Sequence, residues 1–161
     1  MGAEGDRVAP RFGRGCRCFG VWDREELAGY GWVSTGAEWI GELALELTPD
    51  TAEAYIWNCM ILPHHRRKGL YRALLVSIVA RSRAEGLRRL WIGSIEVPAE
   101  QADADAGFVP VLRFTVTRIG GFRWRRARPA ENASPVLVDA ARRRLGLRSW
   151  TSLGAARARV H

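Results

Sequence analysis

The chain has 161 residues, 47% hydrophobic and 26% charged, which is the composition of one globular domain and excludes a disordered chain. No apolar run approaches the roughly 20 residues of a membrane-spanning helix, and residues 1–10 lack the apolar core of a secretory signal, so neither a span nor export is expected. The net charge of +8 is lopsided, because residues 1–117 hold 14 Arg and Lys against 15 Asp and Glu, while residues 118–161 hold 11 Arg against Glu131 and Asp139 alone.

Residues 1–15 are rich in Gly and Arg without periodicity and read as a flexible arm. Residues 16–22 read as a strand, 23–26 as a turn and 27–34 as its hairpin partner. Residues 38–47 alternate, with Trp39, Gly41, Leu43, Leu45 and Leu47 on one side and Ile40, Glu42, Ala44 and Glu46 on the other. That predicts one half-buried strand carrying two carboxylates on its second face. After a turn at Thr48-Pro49-Asp50, residues 54–62 are apolar apart from Asn58, as expected of a central strand covered on both faces.

Pro63 stops that strand and a basic loop follows. A helix is predicted from Gly69, with Leu70, Leu74 and Ile78 on one face, to a stop at Gly86. Residues 88–95 form the next strand, parallel to the previous one by the crossover rule. A helix over 98–106 closes at Gly107-Phe108, residues 109–119 form an outer strand, and Gly120-Gly121 turns into a basic strand over 122–126. Ser134-Pro135 starts a short helix over 136–145 that Gly146 ends, and little order is expected past Trp150. Cys16, Cys18 and Cys59 show no paired-ligand spacing, so buried packing, no metal and a reducing cytoplasm are expected.

The pivot is Met60-Ile61-Leu62-Pro63-His64-His65-Arg66-Arg67-Lys68-Gly69-Leu70-Tyr71-Arg72. A strand, a loop ending in Gly and a helix make an anion site, because the first N–H groups of the helix are free and carry the positive end of its dipole. Gly69 lets backbone approach a phosphate, and Arg66, Arg67, Lys68 and Arg72 add charge at the same point.

Arg66-Arg67-Lys68-Gly69-Leu70-Tyr71 resembles the Arg/Gln-x-x-Gly-x-Gly/Ala loop of the GNAT N-acetyltransferases, which grips the pyrophosphate of acetyl-CoA. Its context, Ile61-Leu62-Pro63 before it and Leu90-Trp91-Ile92-Gly93-Ser94-Ile95 and Gly107-Phe108 after it, is similar as well, and the resemblance covers about residues 16–116. It implies an α/β fold with a mixed, centrally splayed β-sheet flanked by helices. The family's opening strand and two helices have no room before the first strand. The implied organisation is an arm over 1–15, an acyl-CoA-binding domain over 16–119, and an Arg-rich extension with a short helix over 120–161.

By the same resemblance, backbone at Met60, Ile61 and Leu62 would pair with pantetheine as an added strand, and an N–H near Ile61 would polarise the acetyl carbonyl. The implied activity is transfer of an acetyl group from acetyl-CoA, as donor co-substrate, to a small-molecule or peptide amine by direct attack on the thioester. A base must then remove a proton from the ammonium. The candidates are Glu96, Glu46 and Asn58, with Glu42, His64 and His65 behind them. Where the family often carries a tyrosine that protonates the leaving thiolate, this chain has Asp103, and it has no tyrosine after Tyr71.

Two other readings compete. One is a non-catalytic acyl-CoA-binding or regulatory domain. The other is a nucleic-acid or other polyanion binder, with Phe122, Trp124 and Trp150 set among the C-terminal arginines. A homodimer would complete the substrate wall that the missing opening elements leave out.

Overall fold

Chain reversal at Arg24, whose φ is 58°, folds β1 (Arg17–Asp23) onto β2 (Glu26–Ser34) as an antiparallel hairpin in the computed structural model, which describes residues 2–95, 97–120 and 122–148. β2 pairs in turn with β5 (Glu53–Ile61), and β5 pairs in parallel with β6 (Arg89–Ile92), giving the sheet order β1-β2-β5-β6. Between β5 and β6 runs α2 (Leu70–Ala84), and α3 (Val97–Asp105) follows β6. The first compact unit, Met1–Glu38 with Pro49–Phe108, is thus a mixed sheet flanked by helices.

α2 forms where the sequence places it. Leu74, Leu75 and Ile78 are buried against Val33, Ala54 and Ile56 of the sheet, each such side chain contributing roughly 2 kcal/mol on leaving water. Its end is closed by hydrogen bonds from Gly86 N–H to Arg83 and from Leu87 N–H to Ser82.

The β5–β6 pairing runs only from Glu53↔Arg89 to Ile56↔Ile92. Two residues further on, Asn58 adopts a φ of 47° and the β2–β5 register shifts between Tyr30 and Trp32. Such a bulge bends its strand and raises the local twist. β5 therefore turns away from β6 just past the last pair, and the sheet splays at its centre as expected. β6 is four residues long, shorter than the 88–95 predicted.

Four expectations are corrected. Residues 1–15 are not a structureless arm: a 3-10 turn, Gly2–Arg7, leads into α1 (Val8–Gly13). The cause is aromatic. Arg11 is 5% exposed, with its guanidinium 4.9 Å from the Trp32 ring and 4.6 Å from the Trp57 ring, and Phe12 packs on Trp32. Of the two N-terminal cysteines, Cys16 is buried beside the Glu38 carboxylate, but Cys18 is exposed.

The predicted strand over 38–47 is broken. β3 (Glu38–Ile40) and β4 (Leu45–Leu47) pair with each other, joined by a turn in which Leu43 N–H donates to Ile40, Ala44 N–H to Gly41, and Ala44 takes a φ of 46°. Residues 39–48 belong to a second compact unit with the chain from Val109 onward, so the boundary does not fall at 119/120. This unit also holds the hairpin β7 (Leu112–Ile119) and β8 (Phe122–Pro129), and α4 (Pro135–Arg144). Within it, Arg125 donates to the carbonyls of Leu43 and Ala44, and Thr48 N–H donates to Arg144. Among the described residues, no helix is long and apolar enough to cross a membrane.

Candidate functional site

Among the described residues, no strand pairs with the β6-facing edge of β5 over residues 59–61. Its other edge pairs with β2 through Trp32↔Trp57, Tyr30↔Met60 and Gly29↔Ile61, but β6 has already ended its pairing at Ile56. The backbone of Met60, Ile61 and Leu62 follows the bulge directly. Leu62 N–H donates to Ala28 at 2.8 Å, and the Ile61 carbonyl accepts from Arg66 Nε at 3.1 Å. Gly29 has to be glycine here, since a Cβ would lie 2.4 Å from the Met60 oxygen and 2.6 Å from Ile61 Cδ1. That close approach seats the end of β5.

The loop then turns through a 3-10 segment, Pro63–His65, into residues 66–69, all exposed. Arg67 and Gly69 adopt φ values of 63° and 73°, so left-handed residues bend the backbone into a concave run ahead of α2. Ala73 N–H donates to Gly69, while the N–H groups of Leu70, Tyr71 and Arg72 meet no acceptor among the described residues, and no side chain caps the helix. A Cβ on Gly69 would meet nothing within 4 Å. Free donors, a helix dipole and open space in front of a left-handed glycine fit a diphosphate.

The cations do not all converge there. Arg66 is turned back to Ile61, Lys68 Nζ lies 2.6 Å from Asp23 Oδ2, and Arg72 Nε donates to the Asp105 carbonyl at 2.9 Å. Arg67 has no charged partner among the described residues.

Beside the first turn of α2 lies a buried polar cluster. Asp103, 5% exposed, accepts from the Tyr71 hydroxyl at 3.1 Å and from the Ser94 hydroxyl. Burial pushes the Asp103 carboxyl up from the ordinary range, and the two hydroxyls pull it partly back. Burial, then the Asp103 charge, pushes the Tyr71 phenol up, so it keeps its proton at any working pH. The Cys59 thiol is pushed up to about 12, mainly by burial, and is no nucleophile. Sequence reasoning noticed Asp103 but not Tyr71 as its partner. The signal was present, a tyrosine in the first turn of α2 and an acid four residues before Gly107, but nothing local joins residues 32 apart.

The remaining candidates are dispersed. Asn58 is exposed at the bulge, on the same strand as Met60 and Ile61. Glu46 is exposed on β4 in the second unit, Glu42 lies in the β3–β4 turn, and Glu96 lies outside the described residues. His64 is exposed, and His65 is buried against the β1–β2 turn. Trp124 is 68% exposed, and Trp150 lies outside the described residues. A hollow of about 540 Å³ in the first unit, lined by Phe12, Cys18, Phe19 and Arg81 among others, is at the far end of α2 from Gly69. A phosphate held by exposed backbone needs no cavity, so that hollow does not bear on the loop.

The family description "Acetyltransferase (GNAT) family" matches residues 4–106. A comparison with curated proteins finds no match. Solved structures similar to this chain include AAC(6')-Iy in complex with the bisubstrate analogue CoA-S-monomethyl-acetylneamine, at 12% identity and a TM-score of 0.55, covering 73% of this chain and 81% of that one. The ribosomal-protein-S18-alanine N-acetyltransferase from Escherichia coli is similar at 20% identity and a TM-score of 0.51, over 70% and 63%. An acetyltransferase of Trypanosoma brucei is similar at 15% identity and a TM-score of 0.51, over 71% and 77%. At these identities the likeness is one of fold.

Proposed function

We propose how this chain, which belongs to the acetyltransferase (GNAT) family and is a GNAT-type N-acetyltransferase, carries out its reaction: acetyl-CoA is the donor, and residues 59–72 hold it. The observation that carries this reading is the open edge of β5 leading straight into the uncapped start of α2. When bound, acetyl-CoA supplies a thioester open to attack by a neutral amine. The N–H groups of Leu70, Tyr71 and Arg72, with Arg67, would hold its diphosphate. Residues 59–61 would pair with its pantetheine amides by strand addition. Arg66, Lys68 and Arg72 hold the loop in shape through Ile61, Asp23 and Asp105.

Tyr71 and Asp103 form the proton-holding pair of this site. The phenol's hydrogen rests on the Asp103 carboxylate; on turning to a departing thiolate it would be donated there and replaced from water. Asn58 can orient a water or the incoming amine, but an amide cannot act as a base. Of the carboxylate candidates, Glu96, which follows β6 within the same unit's stretch of chain, is the proposed base. The acceptor is an amine, small-molecule or peptide.

The test is release of free CoA thiol from acetyl-CoA over a panel of amines. The panel includes neamine and a peptide that offers an alanine amine, after the acetylneamine and the alanine in the names of two fold relatives. Turnover with any member supports the reading. Tight acetyl-CoA binding with no turnover across the panel would instead support a non-catalytic acyl-CoA-binding domain.

A further inference from the structure

His65 sits at an electrostatic contradiction. It is 4% exposed, and its Nδ1 lies 3.0 Å from Asp23 Oδ2, a carboxylate that can only accept. In the neutral ring Nδ1 therefore carries the hydrogen, and Nε2 is a bare lone pair. Nε2 is buried, has no hydrogen-bond partner, and lies 3.5 Å from Glu26 Oε2. Two acceptors thus face each other at the end of the β1–β2 hairpin. A buried acceptor left without a partner costs about 1–3 kcal/mol.

A third candidate ligand stands beside them. The His64 ring packs on the His65 ring at 4.3 Å between centroids, and one ligand atom from each of Glu26, His64 and His65 lies within 4.8 Å of the others. Two ligands on a tetrahedral ion with bonds of ~2.1 Å stand roughly 3.4 Å apart. Glu26 and His64 are exposed, so rotation of their side chains closes that gap while His65 stays fixed. The Asp23–His65 hydrogen bond is the carboxylate–imidazole arrangement that presents a histidine nitrogen to a metal with its tautomer set.

We propose that Glu26, His64 and His65 form a binding site for a divalent transition-metal ion of the zinc, cobalt and nickel class, with Asp23 orienting His65. Two imidazole nitrogens and one carboxylate oxygen suit such ions and not calcium or magnesium, which take all-oxygen sets. Three protein ligands leave the remaining coordination to water. The ion resolves the contradiction by standing between the Nε2 lone pair and the Glu26 carboxylate. The rival is a proton in the same place, giving an imidazolium held between two carboxylates. The site adjoins the basic loop, since Lys68 shares Asp23 Oδ2 with His65.

The test is Co²⁺ titration of the full, chelator-treated protein, read by visible d–d absorption and by thermal melting. The expected result is a saturable 1:1 spectrum with a rise in Tm; competing Zn²⁺ abolishes the spectrum but keeps the rise, and chelator reverses both. His64→Ala and Glu26→Gln, both at exposed positions, should each weaken binding about tenfold or more while leaving the metal-free Tm close to the original. No spectrum and no Tm change would overturn the proposal in favour of the imidazolium. Binding equally tight in both variants, or a thiolate-to-cobalt charge-transfer band from the cysteines, would also overturn it.

Discussion

Tyr71 donates its hydroxyl hydrogen to Asp103 at 3.1 Å, joining the first turn of α2 to the helix that ends at Gly107. One bond thus ties the proposed proton donor, at the start of α2, to α3. It also places a carboxyl group in a buried setting at some cost to the folded protein.

That cost has a pH signature. Burial raises the Asp103 carboxyl above its unfolded value of about 3.9, so the folded state binds this proton more tightly than the unfolded state. The stability it contributes is full below the unfolded value and is lost as pH rises through the folded one. Asp103→Asn removes that loss and keeps a carbonyl to accept from Tyr71. The Tm of the variant minus that of the original protein should therefore increase from pH 4 towards pH 7. A difference that stays flat with pH would show that the carboxyl is not raised.

Tyr71→Phe separates binding from proton donation. The backbone N–H of residue 71 is kept, so the Kd for acetyl-CoA should change little, while kcat falls by about 10²-fold as expected for a lost general acid. A loss confined to Kd would place Tyr71 in binding alone.

Gly29→Ala tests the seat of the open strand. The new Cβ would overlap the Met60 oxygen and Ile61 Cδ1, and relieving it must shift the end of β5. Chemical denaturation should show a loss of roughly 1–3 kcal/mol, and acetyl-CoA binding should weaken with it. Unchanged binding in a destabilised but folded variant would remove residues 60 and 61 from the site.

Glu53 anchors the closed end of the splay. Its buried carboxylate accepts from Arg89 Nη1 at 2.7 Å and Trp91 Nε1 at 2.8 Å, clamping β6 to β5 where the two still pair. Glu53→Ala leaves the Arg89 charge and the Trp91 N–H unmatched and should cost roughly 3 kcal/mol in urea unfolding. A cost under about 1 kcal/mol would mean that water replaces the carboxylate freely.

The sequence was most informative where structure is local. The period of Leu70, Leu74 and Ile78, Gly86 as a helix stop, and the left-handed glycine ahead of a helix are each specified within a few residues, and α2 and its loop form as read. What escaped was long-range. Arg11 is buried only because Trp32 and Trp57 flank it, and the two tryptophans stand on strands far along the chain. The alternation over residues 38–47 is compatible with one strand or with two short strands around a turn, and period alone does not separate them. His65 is a candidate base by its place in the loop, and its burial escaped because its partners, Asp23 and Glu26, belong to another hairpin. The carboxylate candidates show the same limit. Glu46 is a candidate as one of two carboxylates on the second face of a half-buried strand, and it lies on β4 in the other unit.

The most direct measurement is calorimetric titration of acetyl-CoA into the protein, beside Gly69→Trp and Arg67→Glu variants whose folding is checked by circular dichroism. An indole would fill the open space in front of Gly69, and a carboxylate at 67 would repel the diphosphate without changing the backbone. The account predicts 1:1 binding with a Kd on the order of micromolar, lost in the first variant and weakened at least tenfold in the second. No binding by the unaltered protein, or the same affinity in both folded variants, would contradict it.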